Sequence, residues 1–317
     1  MHSRVTTMLT LLAAVLPVVA AAQTYPVKPI RVVTSETGGG TDYAARVMAQ
    51  ELSASLGQPV IIENRGAGVY SGEIVSKATP DGYTLLVTGT SFWVGPLFRR
   101  TPYDPIRDFS PVTLLVNSPN VLVVNPAVPV KSVRELIDLA RARPGELNYA
   151  TASTGSLSHL ATELFKSMAG INVVRIPYKG TGPGLIDLIG GRVQFSFATS
   201  SGVETHIRSG RLRAIAVTSA EPSVLFPGLP PVAATVPGYE SGGGTAMLAP
   251  PRTPAAIIQR LNREAIAALA KPQVKELFLK RGAEVVGNSP AQFTAVMKAE
   301  ISRIGKLIKD AGIQTER

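Results

Sequence analysis

Residues 28–42, KPIRVVTSETGGGTD, contain the signals that decide the fold. The run from Lys28 to Thr34 is rich in β-branched residues and predicts a buried strand. The three glycines after it predict a loop, and a helix is expected from about Thr41 to Ser55, ending at Gly57. This strand–loop–helix unit is typical of an α/β domain with a parallel sheet and helices on both faces.

The same alternation continues along the chain. Strands are predicted at Val60–Glu63 and Thr84–Thr88, and the long apolar run Val112–Asn125 has the length of a connection between two lobes. A second block of alternating strands and helices extends from Ser132 to Thr218. A short strand at Ala246–Ala249 then returns the chain to the first block.

The chain therefore leaves one lobe, builds a second and comes back. This predicts an α/β, two-lobed fold of the periplasmic-binding-protein type (type II-like), in which each lobe is a mixed, mostly parallel sheet flanked by helices and a two-strand hinge joins the lobes. We expect lobe one to comprise residues 23–123 and 244–317, and lobe two residues 124–243. Residues 219–243, rich in Pro and Gly, are expected to be irregular, and two helices, opened by Thr253-Pro254 and by Ser289-Pro290, should end the chain.

The N-terminal segment predicts export. A positive charge at Arg4, an apolar run from Met8 to Val19 and small residues at Ala20–Ala22 form a secretory signal peptide, residues 1–22, with cleavage before Gln23. The alternative, a single membrane anchor, needs a longer apolar run. Cysteine is absent from the sequence, so disulfides, a lipidated cysteine and a thiol nucleophile are excluded. We expect a soluble protein in the periplasm.

The charge balance indicates a solvated basic exterior rather than a specific partner. The chain has 32 Lys and Arg against 22 Asp and Glu, a net charge of +10, and a basic exterior can attract anions. Basic residues cluster only in pairs such as Arg99-Arg100, without interleaved aromatic residues, so nucleic-acid binding is not expected. A monomer is the default expectation.

Two loops have the composition of an anion-binding site. Each follows a strand and opens a helix, where backbone N–H groups and the helix dipole attract negative charge. One such loop in each lobe, at the carboxyl ends of strands, is what a cleft-binding protein requires. The candidate ligand-binding residues are Ser35, Glu36, Thr37, Gly38, Gly39, Gly40, Thr41 and Asp42 in the first loop, and Ser153, Thr154, Gly155 and Ser156 in the second. Thr41 and Asp42 are equally candidates for the helix N-cap.

Catalytic machinery is not evident in the sequence. His159 and His206, the histidines beyond the signal peptide, lack metal-ligand spacing, and the segment from Gly155 to His159 lacks the G-x-S-x-G pattern of a hydrolase elbow. We expect no metal, no cofactor and no catalytic residue. A periplasmic enzyme acting on a small organic acid is the alternative from another class.

Several motifs resemble one family, and they extend over essentially the whole mature chain in the right order. They are Tyr25-Pro26-x-Lys28-Pro29-Ile30-Arg31, Gly38-Gly39-Gly40-Thr41-Asp42, Glu63-Asn64-Arg65, Pro80-Asp81-Gly82-Tyr83, Tyr103-Asp104-Pro105, Leu147-Asn148-Tyr149-Ala150, His159-Leu160-Ala161, Pro177-Tyr178-Lys179-Gly180 and Pro237-Gly238-Tyr239-Glu240. In these residues the chain resembles the tripartite tricarboxylate transporter substrate-binding proteins, also called the Bug family.

The resemblance implies a bilobal periplasmic receptor that holds a small organic anion, usually a carboxylate, between the two loops. It also implies delivery, in some systems, to a membrane permease with a large and a small subunit; a sensor receptor is the other possible partner. Ser91, Tyr178, Ala198 and Thr199 complete the candidate ligand-binding residues.

The chain departs from the family pattern at two informative places. Glu36 stands where the family has proline and an aromatic residue near the glycines, and Phe197-Ala198-Thr199 replaces a frequent Phe-Asp-Asn. Either Glu36 faces the cleft, where it would accept a cationic or hydroxyl group and disfavour di- and tricarboxylates, or it points to solvent. Trp93, the single tryptophan, is expected either at the cleft mouth or in the core.

Overall fold

The computed structural model describes residues 25–35, 37–38, 40–65, 68–152, 156–178, 180–313 and 315, so the expected signal peptide lies outside the described residues. The strands are β1 (Ile30–Thr34), β2 (Val60–Asn64), β3 (Thr84–Gly89), β4 (Ser110–Val124), β5 (Asn148–Thr151), β6 (Val174–Pro177), β7 (Phe195–Thr199), β8 (Arg213–Val217), β9 (Gly242–Ala249) and β10 (Glu284–Val285). The helices are α1 (Gly40–Leu56), α2 (Gly68–Ser76), α3 (Ser91–Val94), α4 (Val133–Ala142), α5 (Leu157–Ala169), α6 (Thr181–Ile189), α7 (Ser200–Arg208), α8 (Ala255–Ala270), α9 (Pro272–Leu279) and α10 (Pro290–Asp310).

One mixed sheet runs through the molecule in the order β2-β1-β3-β9-β4-β7-β5-β6, with β8 and β10 also paired to β4. The parallel pairs are β1–β2, β1–β3, β5–β6 and β5–β7. Every antiparallel pair involves β4 or β9. The sheet therefore consists of two parallel blocks joined through two antiparallel strands, as the α/β prediction of a two-strand hinge requires.

Strand β4 changes partners midway along its length. Ser110 to Pro119 pair with β9, whereas Asn120 to Val124 pair with β7 and β8. The chain returns at Ser241, whose N–H donates to the carbonyl of Thr218 (2.9 Å), just before β9 begins. Strand β4 changes partners four residues before the expected lobe limit at 123/124, and the chain returns to lobe one two residues before the expected limit at 243/244. The lobe limits themselves stay a prediction.

The two parallel blocks point their carboxyl ends at each other. Strands β1 and β3 run in the same direction as β4, whereas β5, β6 and β7 run against it. Gly89, at the end of β3, is level with Val116 of β4 because both pair with Thr245, and Thr199, at the end of β7, pairs with Asn120. Four residues of β4, roughly 13 Å at the usual rise of a strand, separate the two edges.

The hydrophobic packing differs on the two faces of this sheet. On one face a single core includes Leu114 from the first block and Leu122 from the second, and α10 packs over β4, α3 and α5. On the other face the cores are separate: one under α1 and α8, and one under α6 and α7. The face with divided cores leaves room for the blocks to move relative to each other.

Trp93 belongs to the core and not to the cleft mouth. It is 1% exposed, its ring lies edge-on to Phe293 at 5.8 Å, and its indole N–H donates to Glu300 Oε2 at 2.7 Å. Both partners come from α10, which the sequence places 200 residues away from Trp93. The core alternative is therefore the correct one.

Several elements differ from those predicted by sequence. Strand β9 begins at Gly242, four residues earlier than predicted, because Gly242–Gly244 pair with Ser118 and its neighbours in β4. Helices α2, α3 and α9 and strand β10 were not predicted, and because of α9 three helices rather than two end the chain. Helices α4 and α10 are capped, since the side chains of Ser132 and Ser289 accept the N–H groups of Glu135 and Gln292.

A close approach at Gly243 joins the second block to the crossing strand. A β-carbon at this glycine would lie 2.6 Å from Cδ1 of Leu157, the first residue of α5. The absence of a side chain at Gly243 therefore lets α5 begin directly against β9.

We expect Gly243→Ala to lower the free energy of unfolding by about 1–3 kcal/mol, because the added methyl group overpacks Leu157. Urea denaturation measures this. The double variant Gly243→Ala/Leu157→Ala should be more stable than the sum of the two single changes indicates. Gly95→Ala is the matched control, since Gly95 is helical and nothing lies within 4 Å of an added β-carbon. If the effects of Gly243→Ala and Leu157→Ala simply add up in the double variant, the contact between the two residues is contradicted.

Candidate functional site

A cavity of about 210 Å3 lies in lobe two at the carboxyl ends of β5 and β7. Its floor is formed by strand residues and its rim by the first residues of α5 and α6. The described lining residues are Asn120, Ala150, Thr151, Ala152, Ser156, Leu157, Ser158, Gly180, Thr181, Gly184, Leu185, Ser196, Phe197, Ala198 and Thr199. None of them carries a charged side chain. The cavity therefore offers hydroxyl groups, backbone N–H groups and an apolar side formed by Leu157 and Leu185.

Three helices begin at the rim of this cavity. Ser156 caps α5, its Oγ accepting the N–H of His159 at 3.3 Å. Helix α6 starts after Gly180, which adopts φ 103° and has no side chain that could cap the helix. Helix α7 starts after Thr199, whose side chain makes no capping hydrogen bond. The N–H groups of a first helical turn have no partner inside the helix and carry partial positive charge. The cavity is therefore electropositive although its lining is uncharged.

The loop before α5 is held at both ends. The N–H of Ala152 donates to Ser158 Oγ at 3.2 Å, and Arg175 Nε donates to Thr151 Oγ1 at 3.0 Å. Arg175 also reaches the carbonyl of Ala152 at 3.4 Å. These bonds fix the point where β5 turns into the loop.

The loop in lobe one is organised around a buried carboxylate. Asp42, 3% exposed, accepts hydrogen bonds from Gly38 N (2.9 Å), Arg46 Nε (3.0 Å) and Asn64 Nδ2 (2.8 Å). Burial by itself raises the pKa of this carboxyl, but the bonds from Arg46, Asn64 and Gly38 outweigh burial and hold the pKa below its usual range. Asn64 also donates to the carbonyl of Ser35 at 2.7 Å. Asp42 thus ties α1, β2 and the loop together.

This network changes the expectation for the glycine loop. The three glycines were expected to direct their amides at a ligand, but the N–H of Gly38 points to Asp42 and is not available. Gly38 adopts φ 87°, which suits glycine alone, so its conformation is set by the turn. Thr37 and Gly40 are exposed, and Ser35 and Thr41 are half-buried.

The other candidate residues divide into three groups. Ser156, Ala198 and Thr199 line the lobe-two cavity. Ser91 is exposed at the start of α3, and the Tyr178 hydroxyl donates to Asp187 Oδ2 at 2.8 Å, outside the lining. The remaining five candidates, Glu36, Gly39, Ser153, Thr154 and Gly155, lie outside the described residues, so both positions considered for Glu36 stay open as predictions.

Both candidate loops adjoin neighbouring residues of β9. A β-carbon on Gly89 would lie 3.6 Å from Thr41 Oγ1 and 3.5 Å from the carbonyl oxygen of Gly244. Leu157, beyond the second loop, contacts Gly243. The described ends of the two loops therefore lie near β9 from opposite lobes: Leu157 lies against Gly243, and Thr41 lies beside Gly89, which adjoins Gly244.

Sequence reasoning missed Asn120, Thr181 and Gly184 as cavity residues. A signal for the last two was available, because Gly180-Thr181-Gly182-Pro183-Gly184 follows β6 as a third glycine-containing loop that opens a helix. Asn120 had no such signal, since it lies within an apolar strand. Its place at the cavity is a consequence of the sheet pairing alone.

A second polar cavity, of about 320 Å3, lies on the opposite face of β9. Gly242 and Gly244 line it, whereas Gly243, between them, faces Leu157. Glu300 and Arg303 of α10 also line this cavity. Burial raises the pKa of Glu300, against the lowering effects of the Trp93 hydrogen bond and the Arg303 charge.

A larger cavity of about 710 Å3 lies on lobe two between α7 and residues 225–229, and contains no candidate residue. Among the described residues, no three His, Cys, Asp or Glu side chains lie close enough together to hold a metal ion. In the same part of the chain, the helices lack the length and apolar character required to cross a bilayer.

His159 lies behind the α5 terminus and is 3% exposed. Burial, followed by the positive charge of Arg175, lowers the pKa of its imidazole to about 4. The side chain is therefore neutral at pH 7 and adds no charge to the cavity wall.

Two lobes on a shared pair of strands, with an electropositive cavity at the facing strand ends, define a receptor of the periplasmic-binding-protein class. Comparison with known proteins gives the family: the tripartite tricarboxylate transporter family receptor matches residues 44–313. The chain belongs to this family, as the motifs predicted.

Individual relatives agree. Protein BugT of Bordetella pertussis is 40% identical over 299 residues, which are 92% of either chain. The solved structure of R. palustris Rpa4515 with adipate is 37% identical, covers 92% of this chain and 99% of its own, and has a TM-score of 0.73. MatC from Rhodopseudomonas palustris with bound malate is 29% identical, with coverages of 90% and 100% and a TM-score of 0.68.

We expect Asp42→Asn to lower the free energy of unfolding by about 1–3 kcal/mol, because three donors then compete for one acceptor oxygen and a buried donor is left unsatisfied. Urea denaturation followed by circular dichroism measures the change. Asp138→Asn, on the exposed face of α4, is the control and should leave the midpoint unchanged. Equal effects of the two substitutions would contradict the role assigned to Asp42.

We expect His159→Gln to reduce the loss of stability in mild acid. The folded-state pKa of His159, about 4, is below that of the unfolded chain, about 6.5. The unfolded state therefore binds more protons between these values, and stability falls as pH is lowered from 6.5 to 4. Calorimetry should show that the melting temperature falls less from pH 7 to pH 5 in the variant than in the wild type. A difference independent of pH would refute this assignment.

Proposed function

We propose that the chain captures a small organic carboxylate between its two lobes, with the carboxylate bound in the lobe-two cavity. The carrying observation is the convergence of α5, α6 and α7 on a cavity whose described lining has no charged side chain. Helix N-termini and hydroxyl groups favour an anion, and no described acidic side chain of the lining opposes one.

The available donors suffice for binding without an arginine. A hydrogen bond to a charged group contributes roughly 1.5–3 kcal/mol, and a helix terminus contributes about 0.3–1 kcal/mol. The summed free energy of four such bonds and three helix ends is comparable to the roughly 8 kcal/mol of micromolar binding, once the losses from ordering are subtracted. The apolar side formed by Leu157 and Leu185 would accommodate the carbon chain of the ligand.

The relatives support this chemistry. Rpa4515 was solved with adipate and MatC with malate, both dicarboxylates. The roughly 13 Å between the facing strand edges leaves room for a molecule of that length once the loops are included. A dicarboxylate or a similar small acid is therefore the ligand class proposed here, with the lobes closing over it.

The family membership makes the chain a transporter receptor and not an enzyme. We further propose that it acts as a monomer in the periplasm after removal of residues 1–22, and that its partner is a permease of a large and a small subunit. A sensor receptor would use the same cleft. The candidates Gly39 and Ser153–Gly155, at undescribed loop positions, complete the proposed ligand site. For a dicarboxylate ligand, Glu36 is proposed to point to solvent, because a carboxylate facing the cleft would disfavour that ligand.

We expect at least one acid of a carboxylate panel (succinate, malate, adipate, citrate and benzoate) to raise the melting temperature of the protein by several degrees. A ligand at a hundred times its dissociation constant stabilises the folded state by about 2.7 kcal/mol. Thr181→Asp should abolish this rise. Thr181 is exposed at the first position of α6, so an aspartate there suits the helix dipole yet repels a bound carboxylate.

The control is Gln273→Asp, which introduces the same charge near the exposed start of α9 in lobe one. This variant should keep the ligand-induced rise. Differential scanning fluorimetry and calorimetric titration measure both variants. Full binding by Thr181→Asp would remove the lobe-two cavity as the carboxylate site.

A further inference from the structure

We propose that the side-chain amide of Asn120 is a ligand-binding group, which donates a hydrogen bond to the buried end of the carboxylate or to a water that the carboxylate holds. This inference rests on the proposed function and adds to it a residue at the point where β4 passes from one lobe to the other.

The first observation is an amide without a partner. Asn120 is 1% exposed, it lines the lobe-two cavity, and its Nδ2 has no acceptor among the described residues. Asn125, on the same stretch of chain, shows the usual arrangement: its Nδ2 donates to the carbonyls of Leu188 (2.8 Å) and Ile189 (3.1 Å), and its Oδ1 accepts the N–H of Ala127 (2.9 Å). Asn120 thus retains an unused donor that Asn125 does not.

A buried donor without an acceptor costs free energy, and most buried polar groups in proteins are satisfied. An apolar side chain would avoid this cost at a position whose neighbours along the strand, Val121 and Leu122, are fully buried. An acceptor that arrives with the ligand explains the polar residue, because the unused N–H is then satisfied in the bound state. The chemical class of that acceptor is an oxygen, which suits a carboxylate.

The main chain holds this amide in a fixed place. The N–H of Asn120 donates to Thr218 Oγ1 at 2.8 Å, and the carbonyl of Asn120 accepts the N–H of Thr218 at 2.9 Å. Asn120 also pairs with Thr199, the residue before α7. The side chain therefore lies beside a helix N-terminus on the floor of the cavity, where negative charge is favoured.

The position also links the ligand to the lobes. Pro119 still pairs with β9 of lobe one, whereas Asn120 pairs with β7 and is the first residue of β4 on the lobe-two side. A ligand oxygen bound to Asn120 lies within one residue of the point where β4 changes its pairing from β9 to β7. A ligand that places an ammonium group at that depth brings donors and no acceptor, and is disfavoured.

The test compares Asn120→Ala with Asn125→Ala, using the acid of the carboxylate panel that gives the largest stabilisation of the wild type. Asn120→Ala should lower the affinity for that acid by about tenfold to a hundredfold, which corresponds to the loss of one hydrogen bond to a charged group. The melting temperature without ligand should change little. Asn125→Ala should do the reverse, lowering the melting temperature while its affinity stays within about twofold. Asn120→Asp, which replaces the donor by an acceptor, should weaken binding at least as strongly.

Unchanged affinity in Asn120→Ala would overturn the inference while leaving carboxylate binding intact. A wild-type chain that binds no acid of the panel would instead remove the proposed function, and this inference with it. If the Asn120 variants do not fold, a crystal structure of the wild type with the bound acid decides. A ligand oxygen or bridging water within about 3.2 Å of Nδ2 supports the assignment, and an amide without either contradicts it.

Discussion

The structure depends on the continuity of β4. Its fifteen residues belong to two sheet blocks at once, and hydrogen bonding to β9 on one side of Pro119 and to β7 and β8 on the other leaves no linker between the lobes. Because β9 lies antiparallel between β3 and β4, β3 runs with β4, whereas β7 pairs antiparallel with β4 directly, so the parallel strands of the two blocks point towards each other. The facing carboxyl ends, where loops and helix N-termini accumulate, follow from this one constraint.

The site uses backbone geometry where many anion sites use arginine. Arg175, a cationic side chain beside the lobe-two loop, donates hydrogen bonds to Thr151 and Ala152 and so fixes the chain there. In lobe one Asp42 has a similar internal role, and its charge is balanced by Arg46. Charged groups thus build the two loops, and the described lining of the cavity presents neutral donors. Such a surface attracts a carboxylate through dipoles that are already oriented, so little reorganisation is required on binding.

The sequence allowed the local units to be predicted, and it failed where the answer depends on distant pairing. The unit from Lys28 to the end of α1 was predictable because β-branched residues, glycines and helix formers succeed one another within it. Trp93 could not be assigned because its partner Glu300 lies two hundred residues away. Gly242 and Gly243 belong to the segment 219–243 that composition predicts to be irregular, but pairing along β4 outweighs the low strand preference of glycine.

The same limit applies to the candidate site. Both glycine and serine loops were recognisable as strand-to-helix turns, and Ser156, Ala198 and Thr199 do line the cavity. The amide of Gly38 was assigned to the ligand because sequence cannot show that Asp42 folds back onto it. Asn120 carries no sequence signal, since an unsatisfied donor is a property of its surroundings. Residue types predicted the kind of site, and the pairing of β4 determines which residues reach it.

The path of the chain also sets an order of events during folding. The strands of lobe two, from the second half of β4 to β8, follow one another in sequence, so all of them are present once the chain has been synthesised as far as Val217. The sheet of lobe one cannot close until β9 inserts between β3 and β4, more than a hundred residues after β4 itself. Loop-closure entropy makes such non-local pairing slow. Lobe two can therefore assemble while lobe one still exposes an open sheet edge, which β9 then fills.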